Sequence, residues 1–115
     1  MDKLNNHRAI IKSILQKFLD QQQKAKRHDD NVETLLITDD EHGHYLVMKN
    51  GWQGKERVQH IPIFIRLHEG KVWVEEDWTD YEVVDRLLEA GIPQSDIVLA
   101  FHHPALRPYA DFATS

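Results

Sequence analysis

The stretch from His44 to Thr79, HYLVMKNGWQGKERVQHIPIFIRLHEGKVWVEEDWT, constrains the fold more than any other part of the chain. Its centre, HIPIFIRL, sets Ile61, Ile63, Ile65 and Leu67 at a spacing of two, the side-chain period of a β-strand. His68-Glu69-Gly70-Lys71 then reads as a tight turn. If it closes as a short loop, Leu67 lies opposite Val72 and Ile65 opposite Val74, so turn and apolar pattern agree on one register. The other face receives Phe64, Arg66 and Trp73, with Arg66 opposite Trp73 in stacking reach. A sheet with apolar side chains on both faces needs cover on both.

The elements around this sheet follow from pattern. Residues 4 to 24 read as a helix, because Leu4, Ile11, Ile14, Leu15 and Phe18 form a stripe at helical spacing. Lys24, Lys26 and Arg27 suit its C-terminal end, and the plain reading of this patch is a solvated helix end. Val32 to Thr38 is the first strand, with Leu35 and Ile37 expected toward the core. Asp39 to Gly43 is a solvated loop without the ligand spacing of an EF-hand. The second strand spans about His44 to Trp52 and turns around Gln53-Gly54, with Gly51 at a bulge or a close backbone approach. Pro62 lacks an N–H and demands a bulge or an unpaired position. Thr79-Asp80-Tyr81-Glu82 reads as a capping box opening a second helix faced by Tyr81, Val84, Leu87 and Leu88. Gly91 ends that helix in the left-handed conformation, with Ile92 folding back on Leu87 and Pro93 blocking resumption. DIVLAF, Asp96 to Phe101, is a buried strand or extended segment. The tail HHPALRPYADFATS is extended and anchored by Tyr109 and Phe112. The expectation is a single α+β domain over residues 1–115: N-terminal helix, four-strand antiparallel meander, second helix, final strand and extended C-terminal tail.

Composition narrows the function. The 115 residues suit one domain with a real core; 41% are hydrophobic and 29% charged, as in ordinary soluble proteins. No run is long and apolar enough to span a membrane, and the polar start MDKLNNHRAIIKS has no signal-peptide core, so the expected location is cytoplasmic. The absence of cysteine excludes disulfides and thiolate metal sites. A net charge of −5 argues against direct tight DNA binding. Eight histidines raise the question of metal, but adjacent His102 and His103 with His60 or His68 make a poor ligand set. The expectation is no metal and no cofactor. No serine sits in a nucleophile elbow, no Gly-rich phosphate loop is present, and Glu75 and Glu76 should point to opposite faces of a strand. Trp52, Trp73 and Trp78 could stack bases, but Glu75, Glu76, Asp77 and Asp80 nearby would repel phosphate, which favours core or protein-interface aromatics.

These same residues carry a resemblance. Gly51-Trp52 with Gly54, the strand ending in Gly70-Lys71 and Trp73, Ala90-Gly91-Ile92-Pro93, and Asp96-Ile97-Val98-Leu99-Ala100-Phe101-His102 come in the order found in the XisI family of cyanobacterial fdxN element excision controlling factors. The chain resembles that family over nearly its whole length. Trp78, in Asp77-Trp78-Thr79-Asp80, departs from the family's usual acidic-then-glycine turn into the helix. The resemblance implies a non-enzymatic accessory factor for site-specific DNA element excision, acting with an XisH-type partner and a recombinase. A small nucleic-acid-binding protein and a hydrolase subunit are the alternatives. The candidate interface is Phe64, Arg66 and Trp73, extended by Tyr45 if the second strand's register allows. Two helices can cover one sheet face, which leaves the other for self-association as a homodimer or larger homo-oligomer, unless the tail folds across it.

Overall fold

Two helices and five strands follow one another along the chain: α1 (Lys3–Ala25), β1 (Asn31–Asp39), β2 (His44–Gln53), β3 (Glu56–His68), β4 (Lys71–Asp77), α2 (Val83–Glu89) and β5 (Ile97–Leu99). The computed structural model describes residues 3–26, 31–109 and 112–113, the side chains at 106, 108 and 109 excepted. The strands form one sheet in the order β1-β2-β3-β4-β5, antiparallel from β1 to β4, with β5 added parallel to β4 after the crossover through α2. The α+β architecture and element order are those expected from the sequence.

The β3–β4 hairpin forms in the expected register: Leu67 pairs with Val72, Arg66 with Trp73 and Ile65 with Val74. Its turn holds Glu69 and Gly70 at φ 53° and 78°, the doubly positive conformation whose twist matches the flanking strands. The β2–β3 connection is as tight, with Gln53 paired to Glu56 across Gly54-Lys55. Gly51 is needed for a close approach, since a Cβ there would lie 2.0 Å from the Asn31 carbonyl oxygen.

Pro62 introduces the expected irregularity. The β2–β3 register shifts between Val47 and Lys49, so that Met48 faces the two residues Ile61 and Pro62. The extra residue reverses the parity of β3. Ile63 and Ile65 are fully buried, whereas Ile61 emerges on the other face beside Met48 and Phe64 and does not share the Ile63–Ile65–Leu67 face. A second shift, between Phe64 and Ile65, leaves Glu75 as the extra residue of β4.

α1 lies along the sheet and buries Ile11, Ile14, Leu15 and Phe18 against Tyr45, Val47, Ile63, Ile65, Val72 and Val74. Burial of this kind is worth about 1.5–3 kcal/mol per large aliphatic side chain. In β1 the residue toward this core is Leu36, paired with Val47, and not Leu35 and Ile37 as the sequence suggested. Three consecutive apolar residues leave the parity undetermined, and pairing with β2 selects Leu36.

The second helix begins later than the capping box implies. The Asp77 carboxylate accepts from both the Thr79 N–H and hydroxyl, and the Thr79 hydroxyl accepts from the Tyr81 N–H, not from Glu82. Glu82 precedes α2 at φ 59° with no side-chain cap. Local side-chain bonds of Asp and Thr have captured the chain before the helix could. The end of α2 is as expected: Gly91 N–H donates to Leu88 and Ile92 N–H to Leu87, the paired bonds of a Schellman motif, and Ile92 is buried. Tyr81, two residues before α2, meets Phe18 of α1 edge-to-face at 4.9 Å. At the other end of α1, buried His7 donates through Nε2 to Asp96 at 3.1 Å, and Lys3 adds an ion pair at 2.9 Å.

Candidate protein interface on the open sheet face

Because strand side chains alternate, the residues between the buried ones lie on the face opposite α1. These include Leu46, Met48, Phe64, Arg66 and Trp73, all half-buried. Phe64, Arg66 and Trp73 share this face as the sequence indicated. Arg66 stacks its guanidinium 5.5 Å from the Trp73 ring and holds Glu75 at 2.8 Å. Trp73 also donates its indole N–H to the His68 carbonyl and meets the His68 ring edge-on. Phe64 stands edge-to-face with His44 at 5.9 Å.

Tyr45 does not extend this patch. It pairs with Ile65, is fully buried beneath α1, and its hydroxyl donates to Asp40 while accepting from Arg8. Burial pushes the Tyr45 phenol up from its ordinary pKa. Lys12, together with the Tyr45 hydroxyl, holds the Asp40 carboxyl below its ordinary range. Tyr45 is therefore a polar pin between helix and sheet.

The open face is partly covered at one end. The tail forms a short 3-10 helix, Pro104–Tyr109, whose Arg107 lies 5.7 Å from the Trp73 ring on top of the Arg66 contact and donates to the His102 and Ala100 carbonyls. Farther on, Ala113 N–H donates to the Ile97 carbonyl and Ala113 bridges Val98. Phe112 packs on the core cluster, which agrees with its expected role as an anchor; the Tyr109 side chain lies outside the described set. Among the described side chains of the tail, it is a cation, Arg107, that lies over Trp73.

The exposed apolar surface is thereby displaced toward β1, β2 and the first half of β3. Ile37 is 40% exposed, Ile61 36% and Trp78 79%. Met48, Ile61, Phe64, Glu76 and Trp78 line one shallow hollow there. Trp78 is latched over it by a hydrogen bond from its own N–H to Pro62 and from its indole to Glu76. Pattern reading missed Ile61 and Trp78 as members of this face, since the β3 bulge brings out the first and the segment after β4 presents the second. The β4 bulge also changes the carboxylates: Glu75 and Glu76 line one hollow with Phe101 and do not point to opposite faces. Both are engaged, Glu75 by Arg66 and Glu76 by Trp78.

The histidines are dispersed. His103 Nδ1 accepts from the Ala105 N–H, His102 meets Phe101 edge-to-face, and His68 lies against Trp73. No group of three or more His, Cys, Asp or Glu converges as a metal-ligand set among the described residues. Among them, too, no helix is long and apolar enough to cross a membrane.

Comparison with known proteins places this arrangement. None of the curated proteins matches the chain. The fold is similar to the crystal structure of the fdxN element excision controlling factor XisI from Anabaena variabilis, with a TM-score of 0.86 and 43% sequence identity over 99% of this chain and 100% of that one. It is also similar to a XisI-like protein from the same organism, with a TM-score of 0.77 and 32% identity over 92% of this chain and 99% of that one. The family model described as XisI protein matches residues 1–114. The chain belongs to the XisI family.

Proposed function

We propose that this protein is a non-enzymatic controlling factor for excision of a DNA element, acting in the cytoplasm through protein contacts with an XisH-type partner and, through it, a site-specific recombinase. The observation that carries this reading is the apolar surface formed by exposed Ile37, Ile61 and Trp78 with half-buried Phe64, on the sheet face opposite α1 and α2, in a chain 43% identical to a protein named for that control. Apolar patches of this kind on a folded domain mark interaction sites, and large aromatics dominate the energetics of such interfaces. The acidic side chains Glu75, Glu76 and Asp77 on and beside it suit a protein partner better than a phosphate backbone.

Titration calorimetry with a purified XisH-type protein tests the proposal. Submicromolar binding is expected, weakened at least about tenfold by Phe64→Ala. Absence of binding, or a saturable sequence-dependent gel shift by this protein alone, would overturn it and favour a nucleic-acid-binding role.

A further inference from the structure

The two edges of the sheet are treated differently. Natural sheets blunt an edge strand by shortness, proline, lysine, a bulge or a covering segment. At one edge β5 has only three residues and is covered by Ala113, whose N–H donates to Ile97. The opposite edge has no proline, lysine or bulge within the strand, and its charged residues are two carboxylates, Glu33 and Asp39. β1 runs for nine residues, NVETLLITD, without proline, glycine or a basic side chain, and pairs with β2 residue for residue without a bulge. Every second residue of such a strand directs its N–H and C=O away from the sheet. On its open face β1 also presents Leu35 and Ile37, the latter 40% exposed.

We infer that β1 is a dimerisation edge, and that its occupant is a second copy of this chain paired antiparallel about a two-fold axis at Leu35. Symmetry and charge select this register. An axis perpendicular to the sheet pairs residues of the same face, so it must pass through a residue. With the axis at Leu36, Glu33 would stand directly opposite Asp39 of the second copy, a repulsive pair. With the axis at Leu35, Leu35 meets its own copy, Glu33 meets Ile37, and Asn31 meets Asp39, so the whole strand can pair without carboxylates in opposition.

The ends of β1 are complementary in charge in this arrangement. At its N-terminal end, Lys26 just after α1 shares a hollow with Val32, Glu33 and Thr34, and Lys24 lies exposed two residues earlier. At its C-terminal end lies the loop carrying Asp39, Asp40 and Glu41. Antiparallel pairing sets the acidic loop of each copy beside the basic helix end of the other, twice per dimer. Opposite charge arranged this way steers association and fixes register. The same axis keeps both α1 helices on one side, so the two open faces merge into one surface. The inference does not depend on the proposed function, since it concerns the strand edge and not what docks on the face.

Sedimentation equilibrium of the full chain, loaded from about 1 to 100 µM, provides the test. The wild type is expected to dimerise. Leu35→Lys sets two ammonium groups against each other across the axis and is expected to weaken the dimer at least about tenfold. Ile37→Lys sets a lysine opposite Glu33 and is expected to leave it intact. A wild type that stays monomeric throughout, or two lysine variants that weaken association equally, would overturn the edge pairing; the latter result would point to stacking of open faces. The chain has no cysteine, so a second readout stands even if Leu35→Lys unfolds. Leu35→Cys is expected to be cross-linked into dimers by a short bis-maleimide, and Ile37→Cys, two residues off the axis, to resist it; the reverse result would reject the register.

Discussion

The two faces of the sheet use the same strands for different ends. Beneath α1 and α2, Tyr45, Val47, Ile63, Ile65, Val72 and Val74 are fully buried. One residue along each strand, Leu46, Phe64, Arg66 and Trp73 remain half-buried, and Ile37 and Ile61 are more exposed still. The difference is not one of residue type, since isoleucine occurs on both faces. It is one of what lies above: α1 and α2 on one side, and on the other, among the described residues, the tail's Arg107 over Trp73. Stability should therefore reside on the covered face and recognition on the open one.

The largest expected effect tests that division directly. Ile65→Ala removes a side chain with no exposure beneath α1, and should cost about 3–4 kcal/mol by the lost transfer energy and the cavity left behind. Ile61→Ala, four residues earlier in the same strand but 36% exposed, should cost about 1 kcal/mol or less. Urea denaturation of both variants is the measurement. Equal losses would show that the open face contributes to the core as fully as the covered one.

A smaller effect concerns the polar groups of each face. Burial pushes the Asp96 carboxyl up, but Lys3 and His7 outweigh it and leave its pKa below the ordinary carboxylate value. A carboxyl depressed by folding contributes stability that is fully present above the unfolded value, about pH 4, and is lost as pH falls through the folded value. Asp96→Asn should cost about 1–2 kcal/mol at neutral pH and remove that part of the acid destabilisation. The half-exposed Arg66–Glu75 pair on the open face should contribute about 0.5 kcal/mol when cut by Glu75→Gln, since partly solvated ion pairs are screened. Thermal melts across pH 2 to 7, a window set by the ordinary carboxylate range, decide this. An Asp96→Asn variant that keeps the wild-type acid limb would mean that the latch between α1 and β5 is not what titrates.

How much of this was legible in the sequence depended on whether two local signals agreed. For the β3–β4 hairpin they did: the Glu69-Gly70 turn and the apolar alternation on both strands require one register, and Arg66 falls opposite Trp73 as a result. The end of α2 at Gly91-Ile92-Pro93 was legible for the same reason. Where one signal stood alone, it failed. Leu35-Leu36-Ile37 has no alternation, and its parity comes only from β2. The spacing of Ile61 with Ile63 is that of a strand, but the bulge that sets Ile61 and Pro62 together opposite Met48 reverses the parity. The Thr79–Glu82 spacing fits a capping box, yet the Thr79 hydroxyl accepts from the Tyr81 N–H and donates to Asp77. Tyr45 alternates correctly with Val47, and its burial became visible only once its hydroxyl had Asp40 and Arg8 as partners. Nothing in the tail's composition marked Arg107 as the group that would settle over Trp73.

The smallest expected change in stability belongs to the residue best placed to separate the two roles. Trp78 is 79% exposed, so truncating it removes little buried area, and its indole bond to Glu76 is made at the surface. Trp78→Ala should alter the denaturation midpoint by no more than about 0.5 kcal/mol equivalent, the range of ordinary surface substitutions. A large aromatic at the rim of an apolar hollow should nevertheless matter for docking, and loss of XisH-type partner binding by about tenfold or more is expected in the same calorimetric titration as for Phe64→Ala. Phe64 is half-buried, so its variant mixes lost folding energy with lost contact; Trp78 does not. If Trp78→Ala binds as the wild type does while Phe64→Ala fails, then the docking surface lies on the strands themselves and excludes the segment that follows β4. If neither variant affects binding, the open face is not where the partner sits, and its apolar residues need another explanation, for which the merged face of a β1-paired dimer is the nearest candidate.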